Sequence, residues 1–368
     1  MLRDLTIQNY RCFKNFHIDR LARVNLLVGM NNCGKTTLLE AVYLFVNQGN
    51  PQRLAYLLHN RGELVERSSF SLPGEPPHPQ FHYQISHLFY GHAPSLNSTI
   101  SFSSTQDQNL QVEIIRQKLE TPQLRSQTQI TTPFELVIRL NSQEETYHVP
   151  VYSDDSIEAR WLTFPGFSNQ YSGSSKPEYK FLNKSWFVPS NNLSNLDISA
   201  IWNDITLTPK EDQVIDALKI LDKNIERISF TSKPNFNSGI LLRRHKEYPI
   251  PLSSMGEGMR RILNLAMAAV TVENGVLLID EIETGLYYEV QTDMWRFILE
   301  VANELNIQVF ATTHSWDCIC AFQEAVDEFD DPSVSKLFRL SRKGEDIRPV
   351  EYPADELSVA VRQSIEVR

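Results

Sequence analysis

Residues Gly29 to Thr36, "GMNNCGKT", fit G-x-x-x-x-G-K-[ST] at every fixed position, and this spacing constrains the fold more than any other feature of the chain. The loop works only between a buried strand and the start of a helix, where its backbone N–H groups and the positive end of the helix dipole converge on phosphate oxygens. Both flanks comply. "VNLLVG" before it is a short apolar run of the kind that forms a buried strand, and "TTLLEAVYLFV" after it repeats apolar residues at helical spacing. The phosphate cradle therefore comprises Gly29, Asn31, Asn32, Cys33, Gly34, Lys35, Thr36 and Thr37, with Lys35 reaching the β- and γ-phosphates of ATP and Thr36 holding Mg²⁺. Cys33 reads as a spacer in the loop and not as a redox switch.

A loop of this kind binds nucleotide, whereas hydrolysis needs acid groups from a second strand. "GVLLIDEIETGL", Gly275 to Leu286, supplies an apolar run ending in Asp280 and Glu281. Such a strand delivers its carboxylates to the carboxyl edge of the sheet, where phosphates bind in open α/β folds. Asp280 is expected to hold Mg²⁺ through water, and Glu281 to act as general base toward the attacking water. A third apolar run, "IQVFATTHS", ends in His314, which at a strand tip can hydrogen-bond the γ-phosphate.

Composition limits the alternatives. With 368 residues, 41% hydrophobic and 22% charged, the chain can bury one large core or two modest ones. No apolar run approaches the roughly 20 residues of a membrane helix, and no signal peptide is visible, so a cytoplasmic location without a membrane partner is expected. A net charge of −10 argues against coating nucleic acid through bulk positive charge and leaves room only for a local basic groove. Cys12, Cys33, Cys318 and Cys320 lack zinc spacing and read as reduced, mostly buried thiols.

The glycine loop, "SSMGEG" at 253–258, "LLIDEIETGL" and "ATTHS" stand in an order that resembles the ABC-type branch of P-loop ATPases, which includes SMC proteins, RecF and the OLD-like ATP-binding proteins. The strongest likeness is to the OLD-like group, broadly AAA-type ATP-binding proteins. Ser254, Gly256 and Glu257 match the signature that opens a helix in that branch; Met255 replaces its usual first glycine. The resemblance implies that two heads pack face to face and that each signature helix presents its N-terminus to the γ-phosphate held by the other head. A helix N-terminus is an anion site, and glycines let its backbone approach phosphate closely. The resemblance also implies that Glu283 and Thr284 of "ETGL" face the partner head. The family's glutamine-bearing loop belongs near "KSWFVPSNN", 184–192, with no residue assigned.

The implied fold is α/β: an ABC-type ATPase head over 1–49 and 185–368, with a mixed sheet flanked by helices plus an N-terminal antiparallel sheet, and an inserted, largely β lobe over 50–184. "LTIQNYRCFKNFHID" alternates as edge strands do, with Arg11 and Lys14 either reaching toward nucleotide or solvated at its turn. The lobe carries a Pro-rich break, "SLPGEPPHPQ", flexible turns at "PGFSNQYSGSSKPEY", and no heptads. "LLRRHKEYP" is a compact basic cluster read as solvated edge charge, with DNA contact as the alternative, and "DEFDDP" reads as a solvated turn. After His314 a helix, that turn and a final strand and helix are expected, too little chain for the nuclease domain of full-length OLD proteins.

These residues together point to ATP hydrolysis, and the resemblance implies a switch that dimerises on ATP. By resemblance it serves DNA repair or defence against foreign DNA, with a nuclease or other effector on a separate chain. The rival readings are a RecF-like DNA-binding recombination mediator and, less in keeping with the long middle segment, a transporter's nucleotide-binding subunit.

Overall fold

The computed structural model describes residues 1–68, 79–105, 108–116, 133–140, 146–163, 185–191, 195–233, 236–245 and 248–367. The chain opens with β1 (Leu5–Tyr10) and β2 (Phe13–Ile18), an antiparallel pair with Ile7 opposite Phe16, and continues into β3 (Val24–Val28), whose residues are all buried. The glycine loop leads to α1 (Lys35–Val46) and then α2 (Pro51–Asn60). The middle segment contributes β4 (Leu64–Ser68), β5 (Pro79–Gln84), β6 (Thr99–Ser104), β7 (Gln108–Arg116), β8 (Phe134–Leu140), β9 (Thr146–Val151), β10 (Ser156–Glu158) and the short α3 (Ala159–Thr163). Beyond it run β11 (Ser185–Val188), α4 (Asn195–Ile205), α5 (Pro209–Leu218), β12 (Ile225–Lys233), β13 (Phe236–Arg244), β14 (Ile250–Pro251) and α6 (Glu257–Thr271). The last part is β15 (Val276–Ile279), α7 (Gln291–Glu304), β16 (Gln308–Thr312), α8 (Trp316–Asp327), β17 (Ser335–Lys343), β18 (Asp346–Tyr352) and α9 (Ala354–Arg362).

The central sheet has the order β11-β15-β16-β3-β17-β18. Its first five strands are parallel, and β18 is antiparallel to β17. Parallel strands need cover on both faces, and the period-two alternation supplies it. Leu26, Leu277, Ile279, Val309 and Ala311 face a core built with α6, α7 and α8. Leu27, Leu278, Phe310 and Phe338 face a second core built with α1, α2 and the antiparallel sheet. Each large side chain so buried contributes about 1.5–3 kcal/mol relative to exposure.

The antiparallel sheet is larger than its first two strands suggest, with the order β2-β1-β6-β7-β8-β9. Strands of the inserted segment thus complete a sheet begun by the first residues, Ile7 pairing with Phe102. Pairing is set by non-local hydrogen bonds, which alternation in one strand does not reveal. The segment also opens on a helix: Asn50 caps α2 by accepting from the N–H groups of Gln52 and Arg53, with Pro51 in the first turn. Asn50→Ala is expected to lower stability by about 1 kcal/mol, read as a shifted urea midpoint with unchanged slope. At the C-terminal end a hairpin, β17 and β18, stands where one strand was expected. "PGFSNQYSGSSKPEY" and most of "SLPGEPPHPQ" lie outside the described residues. No helix among the described residues is long and apolar enough to cross a membrane.

Candidate nucleotide site

The site forms where β3, β16 and β15 lie side by side, because parallel neighbours bring their carboxyl ends to one edge. Gly29 and Gly34 shape the loop with φ of 142° and 94°. A Cβ at Gly29 would lie 2.6 Å from the Leu340 carbonyl oxygen, and one at Gly34 2.9 Å from the Phe13 ring. Side chains at either place would collide as well as strain the backbone. Lys35 Nζ donates to the Gly29 and Met30 carbonyls at 2.7 and 3.1 Å, lying across the loop.

Thr36 and Asp280, far apart in sequence, meet at this edge. The Thr36 hydroxyl donates to both Asp280 carboxylate oxygens at 3.1 Å. Thr312, at the end of β16, donates its hydroxyl to Asp280 Oδ1 at 2.7 Å and accepts the Glu281 N–H at 2.8 Å. One threonine therefore orients the carboxylate and fixes the turn that follows. The hydroxyl and carboxylate are hard oxygen donors, the set that suits Mg²⁺, which is held by one or two carboxylates together with substrate phosphates and water. Among the described residues no cluster of three or more His, Cys, Asp or Glu could hold a metal ion.

Glu281 has φ of 47°, a conformation that costs a non-glycine residue about 1–3 kcal/mol and persists only where its surroundings hold it. Arg261 is the main restraint. Its side chain is fully buried, and its guanidinium donates to the carbonyls of Pro189 (2.8 Å), Asp280 (2.7 Å) and Glu281 (2.8 Å), with Ile282 at 3.5 Å. It thereby ties α6 to the ends of β11 and β15. Burial lowers its pKa to about 10, against the opposing pull of Glu283, Asp280 and Glu281, so it stays charged at neutral pH. Sequence reading passed over Arg261 and Thr312. The available signal was a charged residue inside the apolar stripe Met259, Ile262, Leu265 of α6.

His314 follows β16 at the same edge, its Nδ1 3.4 Å from Glu283 and 3.8 Å from Glu281. Glu283 turns inward: its side chain is only 10% exposed and accepts the His314 N–H at 3.3 Å. That placement departs from the outward-facing role that resemblance gave it. Arg11 departs too, being neither solvated nor turned to the loop. It is buried, 2.9 Å from Glu40 and 2.7 Å from Glu63, while Arg61 completes the network on Glu40. Lys14 is exposed beside Glu345 at 3.8 Å.

Ser254, Gly256 and Glu257 open α6 on the surface. Met255 has φ of −93° and needs no glycine; its side chain packs on the core. Gly258 is constrained by proximity, since a Cβ there would lie 3.0 Å from the Gly285 carbonyl oxygen. The signature turn thus packs on "ETGL". Of the basic cluster "LLRRHKEYP", Arg243 and His245 meet Glu226 and Arg244 meets Asp222, while Lys246 lies outside the described residues.

The family described as "AAA domain, putative AbiEii toxin, Type IV TA system" matches residues 24–317. A Helicobacter pylori protein named ATP/GTP phosphatase is 25% identical, over 97% of this chain and 97% of that protein. The DNA replication and repair protein RecF of Thermomicrobium roseum is 35% identical over 78 residues, 21% of this chain and 18% of RecF. A solved SMC head bound to the C-winged helix domain of ScpA is 12% identical, with a TM-score of 0.48, over 97% of this chain and 99% of that one.

Proposed function

The chain belongs to this AAA-domain family, and from that premise we propose that it is a Mg²⁺-dependent ATPase that switches between separate and paired heads. The observation that carries the reading is the meeting of Thr36 and Asp280 at the mouth of the glycine loop, with Glu281 and His314 at the same edge. Lys35 and the loop N–H groups bind the β- and γ-phosphates. Thr36 and Asp280 would hold Mg²⁺, which when bound neutralises charge on the phosphate oxygens. Glu281 takes a proton from the attacking water, and Arg261 and Thr312 keep that carboxylate at the edge by fixing its turn. His314 lies between Glu281 and Glu283, poised to sense the terminal phosphate.

Pairing of heads is supported by the surface position of Ser254, Gly256 and Glu257, and by Tyr287 and Tyr288, which follow "ETGL" and are 62% and 52% exposed. The test is static light scattering. With ATP, Glu281→Gln is expected to double in mass, while Lys35→Ala stays at the monomer mass. Ser254→Arg, which places a bulky cation where a second head's nucleotide would dock, is expected to stay monomeric with ATP affinity retained. A nucleotide-loaded Glu281→Gln that remained monomeric would sink the paired-head reading.

In the cell the switch fits DNA repair or defence against foreign DNA, acting with a nuclease or other effector on a separate chain, as the OLD-like resemblance implies. The RecF likeness supports a second reading, a DNA-binding recombination mediator. The two part on one measurement: a mediator binds duplex or gapped DNA only with ATP and loses affinity steeply with salt.

A further inference from the structure

One cation at the glycine loop has no part in the chemistry above. Strand β17 runs parallel to β3, with Arg339 opposite Val28, so the residues that follow pass alongside the loop. Arg342 is exposed there. Its guanidinium donates to the Asn32 carbonyl and to the Gly344 carbonyl, each at 3.3 Å. Both acceptors are neutral and both bonds are long for a charged donor. Several other cations of this region are engaged with acids or a ring: Lys14 with Glu345, Lys336 with Glu351, Arg348 with Asp346, and Arg339 over the Tyr352 ring. Among the described residues no carboxylate pairs with Arg342, although the chain carries a net charge of −10. A guanidinium held by two weak neutral contacts at the rim of an anion-binding loop is placed to take an anion.

The loop has two distinguishable sides. Lys35 lies over Gly29 and Met30, and Thr36 turns to Asp280, with Glu281 and His314 beyond. This side receives the terminal phosphates. Arg342 meets the loop elsewhere, at the Asn32 carbonyl, which Lys35 does not use. Burial raises the Cys12 thiol, opposed by a hydrogen bond with Thr37 and by the charge of Arg342. The α-phosphate is the group that the loop cradles and Lys35 does not reach, which leaves it for a second cation at the loop.

Building on the ATPase reading, we infer that Arg342 binds the α-phosphate of the bound nucleotide, exchanging its bond to the Asn32 carbonyl for a charge-assisted bond to phosphate oxygen. This group is common to ADP and ATP, so the contact serves both alike. The experiment is titration calorimetry of the full chain with ADP and with ATP, on the unaltered protein, Arg342→Ala, Arg342→Lys and Lys35→Ala. Arg342→Ala is expected to weaken both nucleotides about tenfold, the effect of one charge-assisted hydrogen bond, and Arg342→Lys by less, since lysine keeps the charge without the planar fork. Affinities within twofold of the unaltered protein would overturn the inference. So would a loss confined to ATP, which would put Arg342 at the γ-phosphate. If the unaltered chain bound neither nucleotide, the ATPase reading would fail and this proposal with it; binding that is lost in Lys35→Ala but kept in Arg342→Ala would fail this proposal alone.

Discussion

Glu281→Gln is expected to lower ATP turnover by about 10²–10⁴-fold while leaving ATP affinity within a few-fold of the unaltered protein. The amide keeps the shape and the neighbours of the carboxylate but cannot accept a proton from water. The backbone that carries it is held by Arg261 and Thr312, neither of which bonds the Glu281 side chain, so the φ of 47° survives the substitution. Phosphate release under single-turnover conditions separates the chemical step from nucleotide exchange, and calorimetry reports binding. Turnover reduced less than tenfold would remove Glu281 as the base. Asp280 and Glu283 would then be the remaining carboxylates at this edge, the first bonded by Thr36 and Thr312 and the second by the His314 N–H.

Arg261→Met is expected to be the most destabilising single change at the site, by about 3–5 kcal/mol, visible as a large drop in the urea midpoint. Methionine fills much of the volume, so the loss is not one of packing. The carbonyls of Pro189 and Asp280 lose this donor, the Glu281 carbonyl keeps only the Thr284 N–H, and Glu281 loses a restraint that keeps its strained backbone in place. Arg261→Lys restores charge but not the planar fork that reaches three carbonyls at once, and should recover only part of the stability. A midpoint shifted by less than about 1 kcal/mol in Arg261→Met would mean that the turn is fixed by Thr312 and the strand ladder alone. Where Arg261→Met retains enough fold to assay, its ATP turnover should fall further than its ATP affinity, because the displaced group is the one proposed as the base and not the phosphate cradle.

Arg261, Arg11 and Glu283 show where sequence reading stopped. The alternation of "LTIQNYRCFKNF" makes strands legible, yet whether Arg11 meets nucleotide, water or carboxylate depends on α1 and α2 bringing Glu40 and Glu63 beneath it. Glu283 reads as an outward loop residue until β16 is set beside β15 and the His314 N–H arrives at its carboxylate. Arg261 sits in a helix whose apolar stripe is plain. What the stripe conceals is that the ends of two parallel strands point at it and present the carbonyls of Pro189, Asp280 and Glu281 to one guanidinium.

The sequence by itself determined the strand, loop and helix of the phosphate cradle, the acidic end of the second strand and the signature turn. Each of these is a local pattern in which neighbouring residues share one geometry: glycines where φ is positive or space is short, apolar runs where both faces are covered. Tertiary structure alone decided the strand order that brings Thr36 to Asp280, the joining of the inserted strands to β1, and the partners of the buried charges. Those depend on hydrogen bonds and desolvation between segments hundreds of residues apart, and a buried charge takes its role from whichever group the fold places within 3 Å of it.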